Sequence, residues 1–205
     1  MKKGFTLAEV LVTLGIIGVV SALTMPSLVQ NHQRQVYVTQ LRKAVSEIEQ
    51  AFQMAIVEKR AMTLAESKAF RGGVSTFFNA YLKTSVICSG ADKSNCLNTG
   101  DYTRIDGSNT GISTINSDNF TCAVLKDGAV ACIYWYGTSG ALYLDVNGKQ
   151  GPNIGGRDLY SLLIDNSGNI TGHDPIDSSH VTHRSDTDEN NAFARIVGDG
   201  WEMNY

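Results

Sequence analysis

The sequence predicts an α+β protein in which a long N-terminal helix, membrane-spanning in its first half and amphipathic in its second, packs on a small antiparallel β-sheet. Residues 10–29 are uncharged, and from there to about residue 60 apolar residues recur at the period of a helix. Short runs rich in β-branched and aromatic residues, separated by turns that contain glycine or asparagine, fill residues 120–172. A helix followed by a run of neighbouring strands indicates the α+β class.

The first half of the helix is long enough to cross a membrane. From Val10 to Val29 no residue is charged, and about twenty residues rising about 1.5 Å each span about 30 Å, the thickness of the hydrocarbon layer. Lys2 and Lys3 precede this run, and basic residues favour the cytoplasmic side. We therefore expect a single-pass inner-membrane protein with its N-terminus in the cytoplasm and the rest outside. Pro26 lies within the run, and we expect it to bend or break the helix.

The second half of the helix carries one apolar stripe, which we expect to pack on the sheet. A second, shorter helix is predicted from Val74 to Leu82. The stripe consists of Val38, Leu41, Val45, Ile48, Phe52 and Ala55.

The remaining chain is predicted to be loop and then sheet. Gly, Ser, Asn, Thr and Asp dominate residues 84–119, which indicates a loop region with little regular structure. The predicted strands are 120–125, 129–136, 141–146, 159–164 and 169–172.

Composition limits the function classes. Charged residues make up 18% of the 205 residues and apolar ones 42%, which excludes a disordered chain. The net charge of −3 argues against broad nucleic-acid binding. Gly-x-Ser-x-Gly, Walker A and His-Glu-x-x-His motifs are absent from the sequence, so nothing indicates an enzyme. Beyond the span, about 175 residues remain, which suits one globular head with one core.

Four cysteines in a domain outside the cytoplasm are compatible with disulfides. A three-residue turn at 126–128 would join two strands in a register that places Cys122 opposite Cys132. We predict a cross-strand disulfide there, which leaves Cys88 and Cys96 to close a small loop. Free thiols or a metal knuckle are the alternatives, but neither pair has the Cys-x-x-Cys spacing typical of zinc sites.

One acid, Glu9, lies near the start of the apolar run. A carboxylate inside the hydrocarbon layer costs roughly 2.5–3.5 kcal/mol on insertion scales, so an acid there calls for a partner. A secretory signal peptide would make no use of it, although the residues up to Ala22 offer a passable cleavage pattern. A plain membrane anchor leaves it unexplained as well.

The residues around this acid resemble a known signal. Gly4-Phe5-Thr6-Leu7-Ala8-Glu9-Val10-Leu11-Val12 is similar to the class III signal of type IV pilins and type II secretion pseudopilins. The resemblance implies that prepilin peptidase cuts between Gly4 and Phe5 and then N-methylates Phe5. It divides the chain into a leader peptide (1–4), a transmembrane and assembly helix (5–29) and a pilin-like globular head (30–205).

The resemblance also implies partners. In that family the glutamate is thought to meet the N-terminal ammonium of a neighbouring subunit, which gives Glu9 a role in assembly. A buried acid and a buried amine each cost several kcal/mol alone and become tolerable as a hydrogen-bonded pair. Other pilin or pseudopilin subunits, an assembly ATPase and a platform protein would be the further partners, and the helix before Pro26 can unwind in such filaments. The product would be a periplasmic or extracellular filament, with no nucleic acid as partner.

Two alternative functions stay open at this point. Within the class, the chain could be a competence or adhesive pilin, but Lys83, Lys93 and Arg104 do not form an evident basic cluster for DNA. From a different class, a Sec-secreted soluble binding domain released after Ala22 would leave Glu9 without a role.

One segment of the head is a candidate calcium loop. Residues 144–158 resemble a loop that recurs in pilin-like heads and that major pseudopilins often use for calcium. Calcium takes six to eight oxygens, and this segment contains two aspartate carboxylates and two asparagine amides. It is not an EF-hand, because Gly156 stands at the position of the twelfth-position glutamate. The alternative is a tight loop whose side chains cap their own backbone. No cofactor is required by any motif, and the candidate ligands are Asp145, Asn147, Asn153 and Asp158.

Overall fold

The computed structural model confirms the predicted α+β class. It describes residues 4, 6–90, 93–98, 102–109, 118–172 and 189–205. The chain forms two compact units, Met1–Val36 and Tyr37–Tyr205. The elements in chain order are α1 (Leu7–Glu58), α2 (Leu64–Ser67), α3 (Val74–Tyr81), β1 (Thr84–Cys88), β2 (Thr121–Leu125), β3 (Val130–Trp135), β4 (Gly140–Asp145), β5 (Leu159–Ile164), β6 (Ile170–Gly172) and α4 (Glu189–Gly198).

The six strands form one antiparallel sheet in the order β1-β2-β3-β4-β5-β6. Each strand therefore pairs with its neighbour in sequence, which is the arrangement of a meander. The turn between β2 and β3 contains Gly128 at a φ of +94°, and the Asp127 carboxylate accepts a hydrogen bond from the Ala129 amide. The predicted hairpin register is present, with Cys122 opposite Cys132.

The core lies between the second half of α1 and one face of the sheet. Every residue of the predicted stripe is buried, and the stripe shares one cluster with sheet residues such as Leu125, Ile133 and Leu162. Phe52, fully buried, contacts the rings of Phe70 and Phe77. Deleting an aromatic side chain from such a core typically costs about 3–5 kcal/mol.

The opposite face of the sheet carries a second hydrophobic cluster, which includes a residue of a strand that the sequence analysis did not predict. Composition predicts a loop at residues 84–88, but they form β1, whose Cys88 lies opposite Cys122 of β2. The partner of this strand lies more than thirty residues away in sequence, so local composition alone does not reveal the pairing. The cluster consists of Cys88, Cys96, Leu97, Tyr102, Phe120, Cys122, Val130, Cys132 and Leu159.

The C-terminal segment packs against the core. Helix α4 contacts β5 and β6, and Phe193 and Ile196 are buried in the main cluster together with Met203 of the tail. The final residue, Tyr205, donates its hydroxyl hydrogen to the Gly156 carbonyl at 2.6 Å.

The unit Met1–Val36 contains the candidate membrane span. An 18-residue window of α1 has a mean hydropathy of 2.1, and none of that window is buried. Helix α1 continues through Pro26 without interruption, so the predicted helix break is not present in this single chain. The Thr24 hydroxyl donates a hydrogen bond to the Val20 carbonyl, and the Ser27 hydroxyl donates one to the Thr24 carbonyl, both at 3.0 Å. Such hydroxyl groups help a helix to accommodate proline.

Candidate functional site

The N-terminus of α1 is closed by a reciprocal pair, Thr6 and Glu9. The Glu9 carboxylate oxygen Oε2 accepts hydrogen bonds from the Thr6 amide at 2.8 Å and from the Thr6 hydroxyl at 2.9 Å. The Thr6 hydroxyl in turn accepts one from the Glu9 amide at 3.3 Å. This is a capping box, in which a Thr at the N-cap and a Glu three residues later satisfy amides that the helix leaves open.

The capping box adds a residue that our sequence analysis missed. The motif Thr-x-x-Glu before an apolar run is a recognised signal for a helix start, and Thr6 to Glu9 match it. Within the single chain, Glu9 therefore has a local partner in Thr6. Its pairing with the ammonium of another subunit stays a prediction. Gly4 is exposed, and Phe5, the predicted methylation site, lies outside the described residues.

The structure contains two disulfides with the predicted connectivity. Cys122 and Cys132 are joined across β2 and β3, with a Cα–Cα distance of 3.9 Å. Cys88 and Cys96 are joined with a Cα–Cα distance of 6.2 Å and close a loop after β1. Since Cys88 lies opposite Cys122, the two bridges occupy neighbouring positions on the second face of the sheet.

The candidate calcium loop runs from the end of β4 to the start of β5. Asp145 is the last residue of β4, and Asp158 immediately precedes β5. Both side chains are 0% exposed. Between them the chain passes a cis peptide bond before Pro152 and a left-handed Asn153, whose φ is 58°. Asp145 lies opposite Leu159 in the pair of strands β4 and β5, so the two aspartates, thirteen positions apart in the sequence, lie at the same end of this pair.

Backbone amides hold both carboxylates. Asp145 Oδ1 accepts hydrogen bonds from the amides of Asn147 at 3.1 Å and Gly148 at 2.8 Å. Asp158 accepts from the amide of Asn153 at 2.7 Å and from that of Ile154. This is the backbone capping that the alternative interpretation of the loop expects. It leaves further lone pairs on each carboxylate, because an ionised carboxylate accepts about four hydrogen bonds.

Two amide oxygens in the loop lack a hydrogen-bond donor among the residues that the structure describes. They are the buried side-chain oxygens Oδ1 of Asn147 and Asn153. The amide nitrogen of Asn147 is used, since it donates to the Gly151 carbonyl at 3.1 Å. Buried oxygens without a donor are rare in folded proteins and call for an explanation such as an ion or a water molecule.

The electrostatics of the loop favour a positive ligand. Burial, and then the charge of Asp158, raise the pKa of Asp145 from 3.8 to about 7, against hydrogen bonds from Tyr102 and the backbone. Burial also raises the pKa of Asp158. Neither carboxylate has an ion-pair partner within the described part of the chain. A buried carboxylate without a countercharge is costly, and a divalent cation would supply the missing charge.

The chemical types of the candidate ligands therefore fit the calcium hypothesis. Two carboxylates and two amide oxygens are hard oxygen ligands, which suit Ca²⁺ or Mg²⁺ rather than the softer transition metals. No group of three or more His, Cys, Asp or Glu side chains that could hold a metal is found within the described ranges. The loop is thus a candidate site for a cation that also takes neutral oxygens.

Comparison with known proteins bears on the N-terminal segment. Residues 1–25 match a family model described as the prokaryotic N-terminal methylation motif. No curated protein and no solved structure matches the chain significantly. The match covers the capping box and most of the apolar run, and it ends before the unit Tyr37–Tyr205 begins. Residues 1–25 of this chain therefore carry the N-terminal signal of type IV pilins and pseudopilins, a class of structural subunits.

Proposed function

We propose that this chain is a structural subunit of a type II secretion pseudopilus or a type IV pilus, processed by prepilin peptidase and assembled into a helical filament. The observation that carries this proposal is the methylation motif at residues 1–25. Within this motif an acid, Glu9, lies in the first turn of an exposed apolar helix. A competence or adhesive pilin is the alternative within the class.

In this proposal the span holds the subunit in the inner membrane as a reserve. Cleavage after Gly4 creates a new N-terminal amine on Phe5, which the peptidase methylates. An assembly ATPase and a platform protein then move the subunit into the filament, where apolar helices pack together and exclude lipid. The exposed side chains between Leu7 and Val29 supply the surface for this packing, since helices in a bundle exclude lipid by close van der Waals contact.

The first experiment is mass spectrometry of the intact native protein. A mass that corresponds to N-methyl-Phe5 at the N-terminus would support prepilin processing. A start at Leu23 would instead indicate a secreted domain released after Ala22, and the filament proposal would fall. An uncut Met1 would indicate a plain membrane anchor and would also contradict it.

We propose in addition that the loop between Asp145 and Asp158 binds calcium. What supports this is the pair of buried amide oxygens on Asn147 and Asn153, which have no donor among the described residues. Beside them lie two buried carboxylates, for which the same residues supply no ion-pair partner. Asp145, Asn147, Asn153 and Asp158 would hold the ion. Bound calcium would supply the charge that these carboxylates lack and would stabilise the folded state by mass action.

The sharpest variant for this second proposal is Asn153→Gly. Glycine keeps the left-handed backbone at this position. It deletes an amide oxygen that has no hydrogen-bond partner in the described ranges. We expect an unchanged melting temperature in chelator and a weaker calorimetric titration with CaCl₂, for the full chain in detergent micelles. Asn204→Gly, at an exposed position of the tail, is the control. The assignment would be contradicted if the wild-type chain released or absorbed no heat on titration with CaCl₂. It would also be contradicted if Asn153→Gly bound calcium with the affinity of the wild type.

A further inference from the structure

Tyr102 reaches the candidate calcium loop from a distant part of the sequence. Its side chain is 6% exposed, and its hydroxyl donates a hydrogen bond to Asp145 Oδ2 at 2.7 Å. The two backbone amides that bind Asp145 both contact Oδ1. Tyr102 therefore fixes the orientation of the second carboxylate oxygen, Oδ2, because the loop amides donate to Oδ1.

The next residue secures the opposite arm of the loop. The Thr103 amide donates to the Asn153 carbonyl at 3.1 Å, and the Thr103 carbonyl accepts from the Gly155 amide at 2.8 Å. Thr103 also forms an isolated parallel bridge with Ile154. The two residues together contact both ends of the loop, so we call residues 102–103 the strap.

The strap itself is anchored independently of the loop. Tyr102 lies in the second hydrophobic cluster with Cys96 and Leu97, and Cys96 is covalently joined to Cys88 of β1. Thr103 forms a further bridge, which is antiparallel, with Asn109. The hydroxyl that contacts Asp145 is thus presented by packed, cross-linked structure rather than by an unsupported loop.

We infer that Tyr102 is a positioning residue of the calcium site, which orients the Asp145 carboxylate while Thr103 holds the arm that carries Asn153. This inference rests on the proposed calcium function. Its physical basis is that groups hydrogen-bonded to a metal ligand fix the ligand's orientation, and that their removal typically lowers metal affinity about 10–100-fold. The strap makes the ion site a product of two distant segments, 102–103 and 145–158.

The test is Tyr102→Phe, which removes the hydroxyl and keeps the ring. The full chain in detergent micelles is titrated calorimetrically with CaCl₂, and its melting temperature is measured in chelator and in calcium. We expect an affinity at least about tenfold lower and a smaller calcium-induced rise in melting temperature. Tyr134→Phe is the control, because Tyr134 packs on the same face of the sheet through ring contacts with Phe120 and Tyr136.

The outcomes separate the two proposals. If the wild-type chain binds no calcium, both the calcium function and the role of Tyr102 are overturned. If the wild type binds and Tyr102→Phe binds equally well, only the role of Tyr102 is overturned. Equal losses of melting temperature in chelator and in calcium, with unchanged affinity, would show a merely structural hydroxyl and would overturn it too.

A second measurement keeps the hydroxyl in place. Fluorotyrosine incorporated at position 102 reports its surroundings by ¹⁹F NMR, so the folded wild-type arrangement is retained. We expect its resonance to shift and saturate with calcium at the stoichiometry found by calorimetry. A resonance that does not respond while calcium binds would contradict the contact between the strap and the site.

Discussion

The Thr6 amide and hydroxyl both donate to the same carboxylate oxygen of Glu9, at 2.8 and 2.9 Å. The acid that is costly inside a membrane thus serves the helix start of its own chain before any neighbour is present. Both donors of Thr6 contact Oε2, and an ionised carboxylate accepts about four hydrogen bonds, so Glu9 keeps acceptor positions for the amine of a neighbouring subunit. Helix capping and assembly can therefore be separated by substitutions that preserve one and remove the other.

The first prediction concerns Glu9. Glu9→Val should leave cleavage and membrane insertion intact and impair incorporation into filaments, because it removes the carboxylate. Glu9→Gln is more informative, since Gln also serves in a capping box but carries no charge. We expect Glu9→Gln to be impaired as well, because the pairing with an ammonium needs the charge. The readouts are processing, membrane fraction and sheared filament yield.

Thr13→Val is the matched control for the Glu9 variants. Thr13 lies one turn further along α1, and its hydroxyl donates to the carbonyls of Glu9 and Val10. Loss of this hydroxyl removes a polar group without removing a charge. Normal filament yield from Glu9→Gln would mean that the capping function suffices. Filament assembly would then not depend on an ion pair between Glu9 and a neighbouring amine.

The second prediction concerns the disulfides. Peptide mapping without reduction should recover Cys88 with Cys96 and Cys122 with Cys132. Removing either pair by double substitution to alanine should lower the free energy of unfolding by about 2–4 kcal/mol, the usual effect of a disulfide. Denaturant unfolding of the oxidised chain measures this loss. Recovery of Cys88 linked to Cys122, which face each other across β1 and β2, would show that the oxidised chain adopts a different pairing.

The third prediction is a pH dependence of stability in chelator. The pKa of Asp145 is raised from 3.8 to about 7 in the folded chain, so the folded state binds the proton more tightly than the unfolded state. The resulting stabilisation is complete below about pH 4 and is lost as the pH rises toward 7. Asp158, whose pKa burial also raises, acts in the same direction. Melting temperatures measured across this range in chelator should therefore fall with pH.

Calcium should reverse this trend, because the ion competes with the proton for the same carboxylate. Asp145→Asn is the control, since the amide cannot ionise and should flatten the curve in chelator. The exposed acids Glu58 and Asp106 have lowered pKa values and oppose the trend, but solvent screens their effect. A melting temperature that rises with pH in chelator would contradict the assignment to Asp145.

The parts of the structure that sequence analysis predicted are those with local patterns. The α1 stripe follows from helical periodicity, and the Cys122–Cys132 register follows from a three-residue turn. Strand β1 and Tyr102 were missed, because each acquires its role only through partners far along the chain, Cys122 and Asp145. The helix at Glu189–Gly198 was missed as well. The capping box at Thr6 has a local pattern as well, because Thr-x-x-Glu before an apolar run is a signal for a helix start.

The last prediction concerns the contact between the β5–β6 turn and α1. The turn is held there by hydrogen bonds from Gln53 Nε2 to the Ser167 carbonyl at 2.8 Å and from the Ile170 amide to Glu49 at 2.9 Å. A Cβ at Gly168 would lie 2.9 Å from Cβ of Phe52, and the backbone φ there is +82°. Gly168→Ala should therefore destabilise the head through both a backbone cost and a clash.

The two contributions can be separated with Gly200→Ala. Gly200 has a φ of +74°, and a Cβ at this position would meet no atom within 4 Å beyond its chain neighbours. Alanine there adds only the left-handed backbone cost, about 1–2 kcal/mol. At Gly168 the clash adds about 1–3 kcal/mol of overpacking. Denaturant unfolding should thus show a larger loss for Gly168→Ala. Equal losses in the two variants would mean that the turn moves away from Phe52 at little cost, and that its contact with α1 does not hold the helix on the sheet.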